Sequence, residues 1–460
     1  MDRVSTGNRA IDHILEGGFP AHSINIIMGA PGTGKTLFAE QLAFANRGDR
    51  PALYLTTMSE PLAKVVTYLQ EYDFADPMAI GQSVIYESLA DALAEPEQLE
   101  EAVADLIKRH RPGVIIIDSF KAMSDLVPER AQWRRLLHGL AGLLTAYDAT
   151  TFWLGEYGSD VMSELPEFAV ADGIIEFTRT QNGTRDDRYM RVVKLRGSSF
   201  LDGYHYLRIT RGGLDVFIRM VTSSIPQASA TARERVASGV SGLDEMIETG
   251  WLRGTSTIVA GPSGAGKTAL GLHFLREGVA CGEPGLLVNF QENPAQIARA
   301  VTAFGWKPAE LLGPGKLDLL YTSPVELQID TIVTEVFRRI EERGVRRLVI
   351  DALGDMERSA RDPVRYRDYL YTLTQAIAAR NLTAIFALET WDAQHPASGA
   401  GREISPMSDN LLQVGMQLDD DLKRTIRVIK SRGSAHDGRR YVLRISGEGL
   451  SVDRLTEWDS

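Results

Sequence analysis

Two octapeptides, GAPGTGKT at residues 29–36 and GPSGAGKT at residues 261–268, have the residue types and spacing of a loop that grips phosphate. The glycines Gly29, Gly32 and Gly34, and again Gly261, Gly264 and Gly266, let backbone N–H groups converge on phosphate oxygens at a helix N-terminus. Ala30, Pro31 and Thr33 complete the first loop, and Pro262, Ser263 and Ala265 the second. Lys35 and Lys267 are placed to reach the β- and γ-phosphates, and Thr36 and Thr268 to put a hydroxyl on Mg²⁺. Two matches to G-x-x-x-x-G-K-[ST] in matched register are no accident of composition. The ligand chemistry they predict is ATP with Mg²⁺.

Carboxylates that such loops need lie downstream. Asp118 and Asp351 end the apolar runs GVIIIDS and RRLVIDA. A carboxylate at the tip of a buried strand beside the loop is the expected Mg²⁺ partner, the alternative being a plain strand end or helix cap. Glu60 in TTMSEPLAK and Glu292 in NFQENPAQI lie 232 positions apart, the same spacing as Lys35 and Lys267. A carboxylate there can orient or deprotonate an attacking nucleophile; capping of the following helix competes. Glu156 and Glu389 end matched strands, where they either sense the γ-phosphate or are ordinary strand-end acids. Lys194 and Arg196 in VVKLRGSS recur as Lys430 and Arg432 in VIKSRGSA. Alternate positions on a strand share a face, so each pair is expected to project together, as a functional cation pair or as the basic trim of an edge strand.

The elements that must position these groups also come twice. Residues 3–36 and 235–268 align without a gap, and Arg3, Val4, Gly7, Asp12 and Glu16 recur as Arg235, Val236, Gly239, Asp244 and Glu248. A period above 200 residues means duplicated domains rather than a solenoid. The expected division is a first domain at 1–221, a linker at 222–233 rich in Ser, Ala and Thr, and a second domain at 234–460. In the first half INIIMG (24–29), ALYLTT (52–57), GVIIIDS (113–119) and TTFWLGE (150–156) read as strands buried on both faces. STIVAG, GLLVNF, RRLVIDA and TAIFALE match them in the second. Residues 95–110 and 330–344 show helical spacing, the latter ending in a capping glycine. The fold class is α/β, a mainly parallel sheet flanked by helices in each half. Antiparallel pieces close each half.

Composition narrows the class further. The 460 residues are 44% hydrophobic and 24% charged, ordinary for a globular chain with sizeable cores. Cys281 is the single cysteine, which excludes an intrachain disulfide framework and fits a reducing, cytoplasmic setting. The polar start and short apolar runs predict neither a secretory signal nor a membrane span. A net charge of −11 argues against broad nucleic-acid binding.

The duplicated layout, the RVSTG and RVASG openings, the phosphate loops, the glutamates after the second strands and the KLRG and KSRG strands resemble the KaiC family, circadian-clock ATPases of the RecA superfamily. The resemblance covers essentially the whole chain. It implies two tandem RecA-like P-loop NTPase domains, a two-tiered homo-hexamer with ATP at subunit boundaries, and protein partners of clock or signalling type. It also implies that Lys194 and Arg196, and Lys430 and Arg432, reach the γ-phosphate held by the adjacent subunit. Family members carry a Glu-Glu pair in each half, whose first position is here read as Ser59 and Gln291; one remaining carboxylate per half predicts slow hydrolysis. The family's autophosphorylated Ser-Thr pair corresponds to Ser405 and Pro406, which excludes a two-site cycle and leaves Ser405 as the candidate phosphoacceptor, with a loop or capping serine as the alternative. Two rival classes share these loops. One is a DNA-handling recombinase or helicase relative, and the other a scaffold in which ATP only holds an oligomer together.

Overall fold

The computed structural model describes residues 2–57, 62–93, 98–127, 129–183, 185–220, 234–360, 363–390, 405–418 and 422–454. It divides into two compact units, Met1–Arg219 and Met220–Ser460. The expected linker, 222–233, lies outside the described residues.

In the first unit a nine-stranded sheet is built around the strand Ile24–Gly29, which runs directly into the phosphate loop. Thr150–Gly155 pairs on one side of it and Gly173–Asn182 on the other, both parallel. Val114–Asp118, Ala52–Thr56 and Val84–Ser88 extend the parallel part outward. Beyond Gly173–Asn182 the strands Arg185–Leu195, His205–Thr210 and Gly213–Phe217 add antiparallel. The second unit repeats this order around Ser256–Gly261, from the edge strand Leu317–Tyr321 to the antiparallel Gly449–Arg454. Two tandem RecA-like domains are thus present.

The apolar runs are continuous because both sheet faces are covered. Ile27 packs with Phe38 and Leu42 of the helix Lys35–Ala45, while Ile26 and Met28 face Leu137 and Leu140 of the helix Arg130–Ala146. In the second unit Val259 meets Leu270 and Phe274, and Ile258 meets Leu373 and Ile377. Each fully buried side chain of this size contributes roughly 1.5–3 kcal/mol, so the strand carrying each loop is firmly anchored in its unit. The helix expected at 330–344 is Ile329–Arg343, closed by Gly344 at φ 62°. That expected at 95–110 is Leu99–His110, its first residues lying outside those described. The edge strands Val84–Ser88 and Leu317–Tyr321 gave no sequence signal, because half-buried edges mix polar and apolar residues.

Candidate nucleotide sites

Each phosphate loop turns from strand to helix through a glycine that no other residue replaces without strain. Gly34 and Gly266, at φ 106° and 101°, precede the helices Lys35–Ala45 and Lys267–Ala280. A Cβ on Gly29 would stand 2.1 Å from the carbonyl oxygen of Phe177. The loops therefore lie flat against the sheet with helix N-termini behind them, the arrangement that favours an anion.

The ammonium of Lys35 donates to the Ala30 carbonyl at 2.9 Å, and that of Lys267 to the carbonyls of Gly261 and Pro262 at 2.9 and 2.7 Å. Burial pushes both below the usual lysine range, while Glu156 and Asp118, or Glu389 and Asp351, pull them back up. The strand-end glutamates thus act on the loop lysines by charge, and they border the clefts. Thr36 donates to Asp118 at 2.9 Å and Thr268 to Asp351 at 2.6 Å. A hydroxyl and a carboxylate in contact form a hard oxygen donor set, which fits Mg²⁺. Burial raises both aspartates, and the threonine bonds and loop lysines oppose it. The peptide that follows each aspartate is cis.

Two features of the loops were not legible in sequence. Arg188 donates to the Gly32 carbonyl and Arg424 to that of Gly264, both at 3.0 Å. Each lies six residues before Lys194 or Lys430, so the K-x-R-G repeat extended backwards would have found them. Tyr54 donates to Asp118 at 2.9 Å in the first half.

Glu292 lies in the second cleft, a cavity of about 370 Å³ bordered also by Lys267, Asp351 and Glu389. Its Oε2 is buried without a hydrogen-bond partner among the described residues. Burial and then the charge of Asp351 raise its carboxyl, against a hydrogen bond with Asn289. Asn289 also accepts from the N–H groups of Gln291 and Glu292 at 2.9 and 2.8 Å, and Gln291 donates to Asp355 at 3.0 Å. Glu60 and Ser59 lie outside the described residues. The strand register nevertheless separates Glu60 from Glu292. Thr56 pairs with Asp118 as Asn289 pairs with Asp351. Three residues on, the second half has Glu292 and the first has Ser59, with Glu60 one further. The second half holds one more residue between loop lysine and strand end (289 − 267 = 22 against 56 − 35 = 21), so equal spacing from the lysines does not make the two glutamates equivalent.

The basic pairs lie away from their own loops. Lys194 pairs with Ile174, which pairs with Ile26, whereas the loop starts at Gly29 on the same strand, roughly 10 Å along at 3.3 Å per residue. Lys194 donates to the Ala171 carbonyl at 2.5 Å, and Arg196 faces Asp172 at 3.4 Å. Lys430 donates to the Ser408 carbonyl at 2.5 Å and Arg432 to that of Pro406 at 3.0 Å. The shared strand face expected for each pair needs correction: the strands end at Leu195 and Ser431, so each arginine belongs to the turn. The register also shifts between Ile174 and Ile175 and between Leu411 and Leu412, so that Val193 and Ile429 are skipped beside the lysines. Such bulges re-aim neighbouring side chains. Ser405 begins the short turn Ser405–Met407, with its side chain outside those described, and Ser408 is buried at 1% exposure.

Strand, glycine loop, lysine, and threonine bound to a strand-ending aspartate, twice over on RecA-like sheets, define the P-loop ATPase class with two candidate nucleotide sites. The family model described as "ATPase: KaiC" matches residues 4–220 and again 236–457, and the chain belongs to that family. It is 26% identical to the "Circadian clock oscillator protein KaiC" of Picosynechococcus sp., over 98% of this chain and 90% of that one. The KaiC 1 protein of Synechocystis sp. is 26% identical over 98% and 89%. The KaiC protein of Acaryochloris marina is 27% identical over 98% and 88%. Among the described residues, no helix is long and apolar enough to cross a membrane.

Proposed function

We propose that this chain is a slow ATPase that works as a ring, in which both halves bind Mg-ATP and the second half carries the hydrolysis. The observation that carries this reading is Glu292, a half-buried carboxylate beside Asp351 whose Oε2 is buried without a hydrogen-bond partner among the described residues, three positions after Asn289, where counting in sequence from Thr56 gives Ser59 in the first half. A carboxyl raised by burial is a better proton acceptor than an exposed one, and it is suited to orienting and deprotonating a water. Lys267 and the loop amides hold the phosphates. Thr268 and Asp351 would hold Mg²⁺, which supplies charge neutralisation when bound. Thr36, Asp118 and Lys35 would do the same in the first half, where binding serves assembly.

Lys194 and Arg196, and Lys430 and Arg432, complete the sites of neighbouring copies in this reading, since each lysine lies roughly 10 Å along the sheet from its own loop. Six copies with ATP at each boundary is the assembly proposed, from family membership. The relatives' description as clock oscillator proteins makes a cytoplasmic signalling or timing role, with protein partners of that type, the biological reading. Phosphate release by wild type, Glu292→Gln and Lys35→Ala, alongside mass photometry with and without Mg-ATP, tests it. Glu292→Gln should remove most turnover while leaving the assembly intact, and Lys35→Ala should weaken assembly first. Equal turnover in wild type and Glu292→Gln would overturn the division of labour.

Phosphorylation of Ser405 is a second activity, favoured by Arg432, a proposed boundary cation, which holds the carbonyl of the next residue, Pro406. Mass spectrometry of peptide 403–423 after incubation with Mg-ATP should show one phosphate; an unmodified peptide would remove the autokinase reading.

A further inference from the structure

Beside the first nucleotide cleft, and sharing Thr36 and Asp118 with it, is a second pocket of about 570 Å³. It lies among the helix Lys35–Ala45, the strands Ala52–Thr56 and Val84–Ser88, and the helix Leu62–Leu69. Its size is that of a small-molecule site. Its walls combine the acids Glu40, Glu71 and Asp118 with the rings of Tyr54, Tyr72 and Tyr86, and no lysine or arginine is among the described side chains that line it. Tyr68 also borders it, but the Lys64 ammonium already stands 5.5 Å from the centroid of that ring.

The centre of the pocket is a linked quartet. Tyr86 donates to Glu40 at 2.5 Å and Tyr54 to Asp118 at 2.9 Å, and the two rings stack at 5.2 Å. Glu40 is 5% exposed, and burial raises its carboxyl to about 8. The duplication supplies a control. Tyr54 pairs with Tyr86 as Leu287 pairs with Leu319, and Leu272 follows Lys267 by the same five positions as Glu40 follows Lys35. At the corresponding positions the second half has three leucines where the first half keeps an acid and two phenols, and Leu272 borders its nucleotide cleft. A buried acid with no basic neighbour in its pocket disfavours folding, so packing alone does not account for it.

We propose that this pocket binds a small organic cation, an ammonium or guanidinium carrying apolar groups. Ring π-faces and carboxylates are the two protein groups that attract such a cation, and Leu37, Val65 and Leu69 supply the apolar contact for its substituents. A bound cation favours the ionised form of Glu40, for which no base lines the pocket among the described residues, so the proton leaves as the cation enters. Because Asp118 is common to both cavities, occupancy also bears on the first nucleotide site.

The test uses the full chain, with choline as probe and 3,3-dimethylbutan-1-ol as its uncharged counterpart, by titration calorimetry. Choline should bind saturably to wild type and at least tenfold more tightly than the alcohol. Glu40→Gln should lose most of that preference. The triple variant Glu40→Leu, Tyr54→Leu and Tyr86→Leu, which copies the second half, should lose tenfold or more of the affinity. Nucleotide binding is read in the same samples, so a failure here is distinct from a failure of the ATPase reading. If the triple variant proves unfolded, Glu40→Gln decides. No saturable choline binding, equal binding of the alcohol, or an unchanged charge preference in Glu40→Gln would each overturn the proposal.

Discussion

At the residue scale the two sites differ in what surrounds a shared core. Lys35 and Lys267 each offer charge-assisted hydrogen bonds worth about 1.5–3 kcal/mol, so Lys35→Ala or Lys267→Ala should lower ATP affinity roughly 10- to 100-fold in its own half only. Calorimetry with a non-hydrolysable analogue reads both. Tyr54 is asymmetric: its hydroxyl lowers the Asp118 carboxyl, and the second half has Leu287 in its place. Tyr54→Phe should raise that carboxyl and weaken Mg²⁺ dependence in the first half, leaving the second as it was. Glu40 sets a pH effect. Its folded-state value of about 8 exceeds the ordinary 4.5, so between those values the folded state holds a proton that the unfolded state lacks. Stability of the first half should then fall as pH rises from about 5 to 8, by on the order of a few kcal/mol, and Glu40→Gln should flatten that slope in denaturant melts. The loop lysines, the loop threonines and the strand-ending aspartates were legible as letters at fixed spacing. Glu40 and Tyr54 were not, because their meaning comes from the helix and the three strands that bring residues 40, 54, 86 and 118 together.

At the scale of elements, strands were legible wherever both faces are buried, since burial forces an unbroken apolar run. The edge strands Val84–Ser88 and Leu317–Tyr321 escaped for the opposite reason. Register was invisible as well: one added residue between Lys267 and Asn289 shifts Glu292 relative to Glu60, and only pairing with the strand-ending aspartates exposes it. Arg188 and Arg424 tie an antiparallel strand to each loop through a single carbonyl. Arg188→Ala should leave the melting profile within about 1 kcal/mol, as surface changes usually do, yet reduce ATP affinity in the first half by loosening the loop. A full loss of folding would mean that the contact holds the strand rather than the loop. The cap at Gly344 offers a plainer check: at φ 62°, Gly344→Ala should cost about 1 kcal/mol in the second unit.

At the scale of the whole molecule the duplication was evident from the first 36 residues and their copy, and the family comparison extends it from residue 4 to 457. What the copy conceals is divergence. The same kind of sheet carries Glu292, with its Oε2 unpartnered among the described residues, in one half and a tyrosine-lined acid pocket in the other, so sequence symmetry overstates functional symmetry.

Lys430 pairs with Leu411, which pairs with Ile258, three residues short of Gly261 where the second loop begins. On the proposed ring reading a solitary chain owns every tool but cannot turn them on itself, so specific activity should climb with protein concentration and collapse on dilution. Two separately dead proteins, Glu292→Gln and the double change Lys430→Ala with Arg432→Ala, should then revive one another when blended, because each lends its neighbour the part that neighbour lost. A blend as inert as its ingredients would mean that no such lending occurs.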